Sequence, residues 1–599
     1  MGIPVEEAHL FGSDSQGESL SSDMFPHLED VPRPYPGVSM MLVKNKQSSA
    51  GFTGLEKDNL MFIIIIGVWI ISVLYFNPKI LTYLYRHTSV ISRVSVGAFI
   101  ICVNIFWLFG IYHLVIAFFS AFIYRPRKVL PEMPIVKSPR AAVLYLTMND
   151  FKEEAALSCL NQDYTAFDVY LLDDSTDKEW QLKVDIFVSE HKQAKLIRRQ
   201  KREYFKAGNL NHTLERIHAE YEYFAVSDSD GILPEDFLKK LIPFFVLDKN
   251  IGFVQANQRW NSKQDSEFAG DLGMNTDVHW KYYVPAKDKY GFVMFYGHGA
   301  VIRTDAWKEA GGFPHSITED IVFSSLLREK GYYGIFVSDV ICLEDFPEDY
   351  KSFRIRNERW LKGTTEYLYK WYPGLLCSNK VAWFEKLDVL ISAGVLLQPF
   401  VFVLFLLIVS IVLPVTAKYF GLHIPLVSTF APLPEVAAAY LSGMYVHTSW
   451  TMDFFLIMLV SAFAQFAALM WNMIKDPIKI TRYMGSFLFL CLSSSVASFV
   501  NILTIVITGK SRFLVTGVKE KKDTVEHKII YCFEITLCAF LIFSTFTTGN
   551  LWLITVAISV LLNPFVYKAK WDASVLSAAI YLPFILILGI VLMVAVLLV

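Results

Sequence analysis

Apolar runs crowd both ends of this 599-residue chain and leave one long stretch between them free of any. Residues 60–76 are just long enough to cross a bilayer, and 94–124 are longer. Beyond Tyr372 come 389–415, 454–474, 529–546, 551–566 and 576–599. Such segments must satisfy their backbone polar groups internally, which makes them helices. A hydrophobic fraction of 54%, only 19% charged residues and a mean hydropathy of +0.38 exceed what a soluble domain shows. The chain therefore reads as a multi-pass membrane protein of about two or three domains, with a soluble domain inserted between spans.

Charge orients it. Arg125-Pro-Arg127-Lys128 follows the second run and marks the cytoplasmic side, so the inserted domain is expected in the cytosol. The same rule is violated by Lys79, Arg86 and Arg93, which this arrangement forces outside. Residues 486–508 are apolar but carry Ser493-Ser-Ser495 and Asn501. They lie between basic segments, Lys475 to Arg482 before and Lys510 to Lys522 after, both expected inside. An interfacial or re-entrant helix is the expectation, giving roughly seven spans, or eight if it crosses. Residues 1–58 are polar, with Val31-Pro-Arg-Pro-Tyr-Pro-Gly37, and read as a disordered or loosely attached tail without a removable signal peptide. The expected division is thus 1–58 tail, 59–128 two membrane helices, 129–375 soluble domain, 376–508 membrane helices plus interfacial helix, 509–527 a cytosolic loop and 528–599 three membrane helices. A net charge of −2 gives no reason to expect a nucleic-acid partner. The 7 cysteines are scattered without disulfide or zinc spacing.

Inside the soluble stretch, 141–147, 168–173 and 223–226 read as buried parallel strands, with helical patterns at 153–162 and 179–191 between them. That alternation predicts a doubly wound, mostly parallel α/β domain, whose ligands bind beyond the carboxyl ends of the strands. Three of those ends are polar: Asn149-Asp150, Asp173-Asp174 and Asp228-Ser-Asp230.

The last of these sits in Tyr223-Phe-Ala-Val-Ser-Asp-Ser-Asp-Gly231. Side chains alternate along a strand, so Asp228 and Asp230 can face one site and hold a hard cation, leaving its other side for water and phosphates. Plain turn chemistry is the alternative. Leu172-Asp-Asp-Ser-Thr-Asp177 could accept hydrogen bonds from a nucleobase and ribose, or be a simple turn. Lys206-Ala-Gly-Asn-Leu-Asn211 offers a cation and a glycine where backbone can approach a diphosphate; a helix C-cap is the plainer reading. Thr318-Glu-Asp320, after Gly311-Gly-Phe-Pro314, delivers a carboxylate at a helix start, where an N-cap would also fit. Arg356-Asn-Glu-Arg359-Trp360 sets two arginines at i and i+3 on one helical face beside an aromatic plane, which could equally anchor at a membrane interface.

In their order and spacing these motifs resemble the processive family 2 glycosyltransferases, the group of cellulose, curdlan, chitin and hyaluronan synthases, over roughly residues 141–522. Phe513-Leu-Val-Thr516-Gly-Val-Lys519 is similar to the Phe-x-Val-Thr-x-Lys gating loop of cellulose synthases, with the lysine one position later. Bacterial cellulose synthases have Asp-Asp-Gly, Asp-Ala-Asp-His and a Gln where this chain has Asp-Asp-Ser, Asp-Ser-Asp-Gly and Arg356. Asp173-Asp-Ser-Thr-Asp177 is similar to mannan and glucan synthase-like relatives.

The resemblance implies a GT-A-like α/β cytosolic domain in an α-helical transmembrane bundle, expected in the plasma membrane. Asp173 and Asp174 would hold uridine, Lys206 the diphosphate, and Asp228 and Asp230 the sugar nucleotide with Mg²⁺ or Mn²⁺. Asp320 would be the general base, with Glu319 beside it as a second catalytic carboxylate. Arg356 and Arg359 would bind the diphosphate, Trp360 would stack on the acceptor sugar, and Phe513, Thr516 and Lys519 would close over the nucleotide. His298, in Phe295-Tyr-Gly-His-Gly299, lines the acceptor end or is a buried structural histidine. The implied activity is processive, inverting transfer that elongates a β-glucan from UDP-glucose and passes it across the bilayer. Asn104, Gln398, Gln465 and Asn472 are candidates to line the conduit, though helix-to-helix hydrogen bonding explains such residues too. Transfer of one sugar to a lipid phosphate carrier is the rival enzyme reading. Sugar identity, linkage, primer, oligomeric state and regulators stay open.

Overall fold

A computed structural model describes residues 57–87, 89–124, 138–420, scattered positions between 457 and 467, 477–508, 525–548 and 552–568. The tail up to residue 56, Arg125 to Lys128, most of 454–474, the loop with Phe513, Thr516 and Lys519, and 576–599 lie outside them.

The soluble domain is built on a sheet of β1 (Ala141–Thr147), β2 (Phe167–Asp173), β3 (Ala194–Ile197), β4 (Tyr223–Ser227), β5 (Ile251–Trp260), β6 (Ala300–Arg303) and β7 (Tyr333–Glu344). Their order is β3-β2-β1-β4-β6-β5-β7. All pairings are parallel except those of β6, which runs antiparallel to β4 and β5. β1 is buried along its whole length, which explains why it reads as an uninterrupted apolar run. Its residues alternate between two cores: Ala141, Val143 and Tyr145 join one face, Ala142, Leu144 and Leu146 the other. From β1 the chain winds outward through β2 to β3, then returns to the other side of β1 as β4. The order reverses at β1 and β4, the place where a doubly wound sheet opens a crevice. The α/β domain expected from the sequence is therefore present, with a mixed, mostly parallel sheet.

Four described helices contain stretches long and apolar enough to cross a membrane: Leu60–Pro78, Val90–Ile123, Trp383–Val412 and Leu490–Thr508. The first is little buried, and Ile63, Ile71 and Leu74 face outward, as a lipid-facing helix requires. The protein is accordingly a membrane protein. The fourth stretch belongs to one continuous helix, Pro477–Thr508, where an interfacial segment is expected. Its serines turn their hydroxyls inward: Ser494 donates to the Leu490 carbonyl at 2.6 Å and Ser495 to that of Leu492 at 2.6 Å. Ser493 also meets the Tyr350 hydroxyl at 2.9 Å and Asn501 is fully buried, so this stretch is long and apolar enough to cross a membrane while carrying its polar side chains inward.

Candidate active site

Three strand ends meet in the crevice. After β4 the chain turns at once, closed by the Gly231 N–H donating to the Asp228 carbonyl at 3.0 Å. Asp228 and Asp230 therefore lie in a turn just past the strand, and the turn rather than strand alternation brings them together. From the end of β1, Asp150 accepts the Ser229 hydroxyl at 2.8 Å and so braces that turn.

The helix Phe205–Ile217 starts beside it, so Lys206 stands in a first turn and not at a C-cap. Its ammonium reaches Asp228 Oδ1 at 2.5 Å. A Cβ on Gly297 would lie 3.4 Å from Lys206 Nζ and 4.0 Å from Asp320 Oδ2; with φ at +88° this position favours glycine and keeps the ground between them bare. Asp320 occupies the first turn of the helix Glu319–Lys330. The preceding Thr318 makes no side-chain cap, and the Asp320 carboxylate instead accepts the Ile321 N–H at 2.8 Å. Four separate motifs thus converge around Lys206.

The electrostatics follow from burial. For Asp228, burial raises the pKa, but Lys206 and then His298 and Arg359 outweigh it and hold the carboxyl below its ordinary value. Asp230 lacks such a partner; burial, with the charges of Asp228 and Glu344 added, lifts it to about 6 against the pull of His298. Glu319 and Asp320 are both pushed up, burial being the main cause for each. Burial opposes the charge of Lys206, yet Asp228 and Glu319 keep its pKa raised. The turn at Asp228–Asp230 therefore carries excess negative charge beyond what Lys206 balances, the condition in which a divalent cation is favoured.

His298 is partly buried and paired: Nε2 lies 3.2 Å from Glu344 Oε2. Burial works against its charge, but Glu344 and Asp228 raise its pKa. Its carbonyl accepts from Gln255 and Gln258 at 3.0 and 2.8 Å, which fixes the strap it rides on. On the helix Tyr350–Lys370, the Arg356 guanidinium stacks 4.5 Å from the Trp360 ring and 5.1 Å from that of Phe346. Arg359 lies close enough to lower both Asp228 and Asp320. One face of Trp360 is thus taken by Arg356, while 41% of the residue stays exposed.

Asp173 and Asp174 are placed differently from a pair awaiting a nucleoside. Asp173 accepts Arg198 Nε at 2.7 Å and the Ser175 N–H at 2.8 Å. Asp174 holds Arg199 through two bonds, at 2.9 and 2.7 Å. Arg199 also donates to the Phe205 carbonyl at 2.9 Å, tying the end of β2 to the residue before Lys206. Gly208 serves that contact: a Cβ there would lie 2.6 Å from Arg199 Nη1 and 2.0 Å from the Glu203 carbonyl. The glycine in the Lys206 motif makes room for arginine, where a diphosphate was expected.

Arg198, Arg199 and Glu344 are the site residues that motif reading misses. Each follows or ends a strand, β3 or β7, and a polar strand end was the available signal. Phe513, Thr516 and Lys519 lie outside the described residues. Among the described residues no three His, Cys, Asp or Glu side chains form a ready metal site, so a cation at Asp228 and Asp230 would take its other ligands from substrate and water.

Similar proteins agree in kind. Glucomannan 4-beta-mannosyltransferase 1 of Cyamopsis tetragonoloba is 27% identical over 231 residues, covering 37% of this chain and 44% of that protein. Glucomannan 4-beta-mannosyltransferase 2 of Arabidopsis thaliana is 26% identical over 231 residues, covering 37% and 43%. The chain thus matches less than half the length of either relative. Among solved structures, the mannosyltransferase PcManGT from Pyrobaculum calidifontis in complex with GDP-Man and Mn²⁺ is 19% identical, with a TM-score of 0.42, over 65% of this chain and 100% of that one. Residues 223–597, more than half of the sequence, match the description "Glycosyl transferase family group 2", and the chain belongs to that family of glycosyltransferases.

Proposed function

We propose that the protein is a processive, inverting β-glycosyltransferase that elongates a polysaccharide from a nucleotide diphosphate hexose at the cytosolic face and passes it outward between its membrane helices. The observation that carries this reading is the convergence of Asp228, Lys206, Gly297 and Asp320 at one place, with Arg359 in range of both carboxylates.

In the proposed step an acceptor hydroxyl attacks the anomeric carbon of the donor. Its proton passes to the Asp320 carboxylate, and the bond to the diphosphate breaks with its electron pair leaving on the nucleotide. Lys206, Arg356 and Arg359 stabilise that departing charge. Asp228 and Asp230 would hold Mg²⁺ or Mn²⁺, which adds positive charge at the diphosphate. Attack opposite the leaving group inverts an α-linked donor to a β-linked product. With Asp173 and Asp174 engaged by Arg198 and Arg199, the nucleoside would meet carboxylates already neutralised.

The motif resemblance points to UDP-glucose, and the names of the relatives point to a mannose donor. Membranes carrying the full chain, incubated with UDP-glucose, GDP-mannose and other labelled sugar nucleotides, are expected to form an insoluble product that β-linkage-specific hydrolases digest. EDTA should stop its formation and added Mg²⁺ or Mn²⁺ restore it. A single-sugar lipid product would replace this reading with transfer to a lipid carrier, and no consumption of any donor would end it.

Trp360→Ala is expected to weaken acceptor use by about 0.5–1.5 kcal/mol, roughly two- to twelvefold in acceptor KM, because a flat ring face suits the apolar face of a pyranose. Donor KM should move less. Product length and acceptor KM check this; an unchanged acceptor KM contradicts it.

A further inference from the structure

Lys57 lies just before the first apolar helix, Leu60–His87, and no motif singles it out. Its ammonium donates to the Gly291 carbonyl at 2.5 Å and to Glu385 Oε1 at 2.9 Å. The next residue holds the same place, the Asp58 N–H donating to the Lys289 carbonyl at 2.9 Å. The Glu385 side chain is fully buried near the start of the membrane-length helix Trp383–Leu407. Arg328 meets it from another side, Nε at 3.1 Å from both oxygens and Nη2 at 2.9 Å from Oε2. A buried carboxylate is thus shared by two cations from distant parts of the chain.

Both things that Lys57 touches lead to the candidate site. Gly291 opens the strap that runs through Phe295 and Tyr296 to Gly297 and His298. Arg328 belongs to the helix Glu319–Lys330, whose first turn carries Glu319 and Asp320, about 12 Å away along its axis. Strap and helix are also joined nearer the chemistry. The Phe295 N–H donates to Ser324 Oγ at 2.9 Å, and Ser324 Oγ donates to the Asp320 carbonyl at 2.7 Å. A shift of the strap relative to the helix would therefore be felt at Asp320.

We infer that Lys57 is a positioning residue for the transfer reaction: from the segment entering the first membrane helix, it locks the strap bearing Gly297 and His298 to the helix bearing Asp320, and so sets the acceptor side of the site. The inference rests on the function proposed above. A misplacement of about 1 Å can cost a reaction a hundredfold, whereas donor contacts on Asp228 and Arg359 belong to other elements. Arg328 still holds Glu385 when Lys57 is removed, so the variant keeps one cation on the buried carboxylate.

The test uses the full chain in lipid nanodiscs as wild type, Lys57→Ala and Lys57→Arg. Lys57→Ala is expected to lose roughly tenfold or more in kcat with donor KM within about twofold, and Lys57→Arg to recover most of the loss. Hydrogen exchange in Lys57→Ala should quicken in residues 292–299 and 319–324 and stay unchanged in β1 and β2. Wild-type kcat in Lys57→Ala overturns the inference. So does a loss that Lys57→Arg fails to repair and that accompanies faster exchange across the whole sheet, since that is a stability effect. If wild type consumes no sugar nucleotide, the proposed function falls, and the exchange measurement alone decides whether Lys57 holds the two elements together.

Discussion

An Asp320→Asn protein is expected to transfer sugar about 10²- to 10⁴-fold more slowly while still binding its donor. The substitution keeps the shape of the side chain and an oxygen for the Ile321 N–H, so the first turn of Glu319–Lys330 has no reason to move. What disappears is the capacity to take a proton. Donor contacts assigned to Asp228, Arg356 and Arg359 are left in place. Glu319, the second carboxylate of the motif, shares the burial and the Lys206 charge but not the base role; Glu319→Gln should lose markedly less. Burial raises both carboxyls above their ordinary values, and a base works only when deprotonated. Wild-type transfer should therefore rise as pH climbs through that raised range and fall below it. Labelled-sugar incorporation set against donor affinity by calorimetry checks the claim. Undiminished transfer by Asp320→Asn, or an equal loss in Glu319→Gln, would remove Asp320 from its role.

The sequence showed β1, β2 and β4 because strands buried on both faces are apolar throughout and end in abrupt polar residues. It did not show β5, whose buried Gln255, Asn257 and Gln258 break the pattern. Their amides serve local backbone, Gln255 and Gln258 on the His298 strap and Asn257 on the Ser338 carbonyl at 2.9 Å, needs that no window of sequence displays. β6 is only 4 residues long and antiparallel, too short for any periodicity. The candidate site was legible as motifs and illegible as a network. Asp228 and Asp230 could be picked out, but not that Lys206 would neutralise one and leave the other charged against its neighbours. Asp173 and Asp174 had the right residue type, while the arginines that hold them lie 25 positions along the chain. Spacing reveals which groups can act together; only the fold decides which are already occupied.

The second large effect is expected at a residue no motif marks. Asp388 lies within the membrane-length stretch Trp383–Val412, yet its side chain is fully buried and its contacts reach both the soluble domain and a second membrane helix. It accepts the Phe292 N–H at 2.8 Å, Tyr112 Oη–H from the helix Val90–Phe118 at 3.1 Å and Ser392 Oγ–H at 3.2 Å. Lys287 Nζ lies 3.1 Å away, itself almost buried. Removing one member of a buried charge pair strands the other, which typically costs about 3–5 kcal/mol, and unpaired donors add to it. Asp388→Ala should therefore reduce the folded fraction and lower the unfolding midpoint sharply. Asp388→Ala combined with Lys287→Met should recover part of the loss, because no buried ammonium is then left alone. Thermal unfolding of the purified proteins in one detergent checks both, and a single variant as stable as wild type would mean the two layers are held elsewhere. Since Phe292 belongs to the strap that leads to Gly297 and His298, the same bonds that fasten the soluble domain to its membrane helices also hold one wall of the candidate site. A loss of stability at Asp388 should for that reason carry a loss of transfer with it, even in the fraction that remains folded.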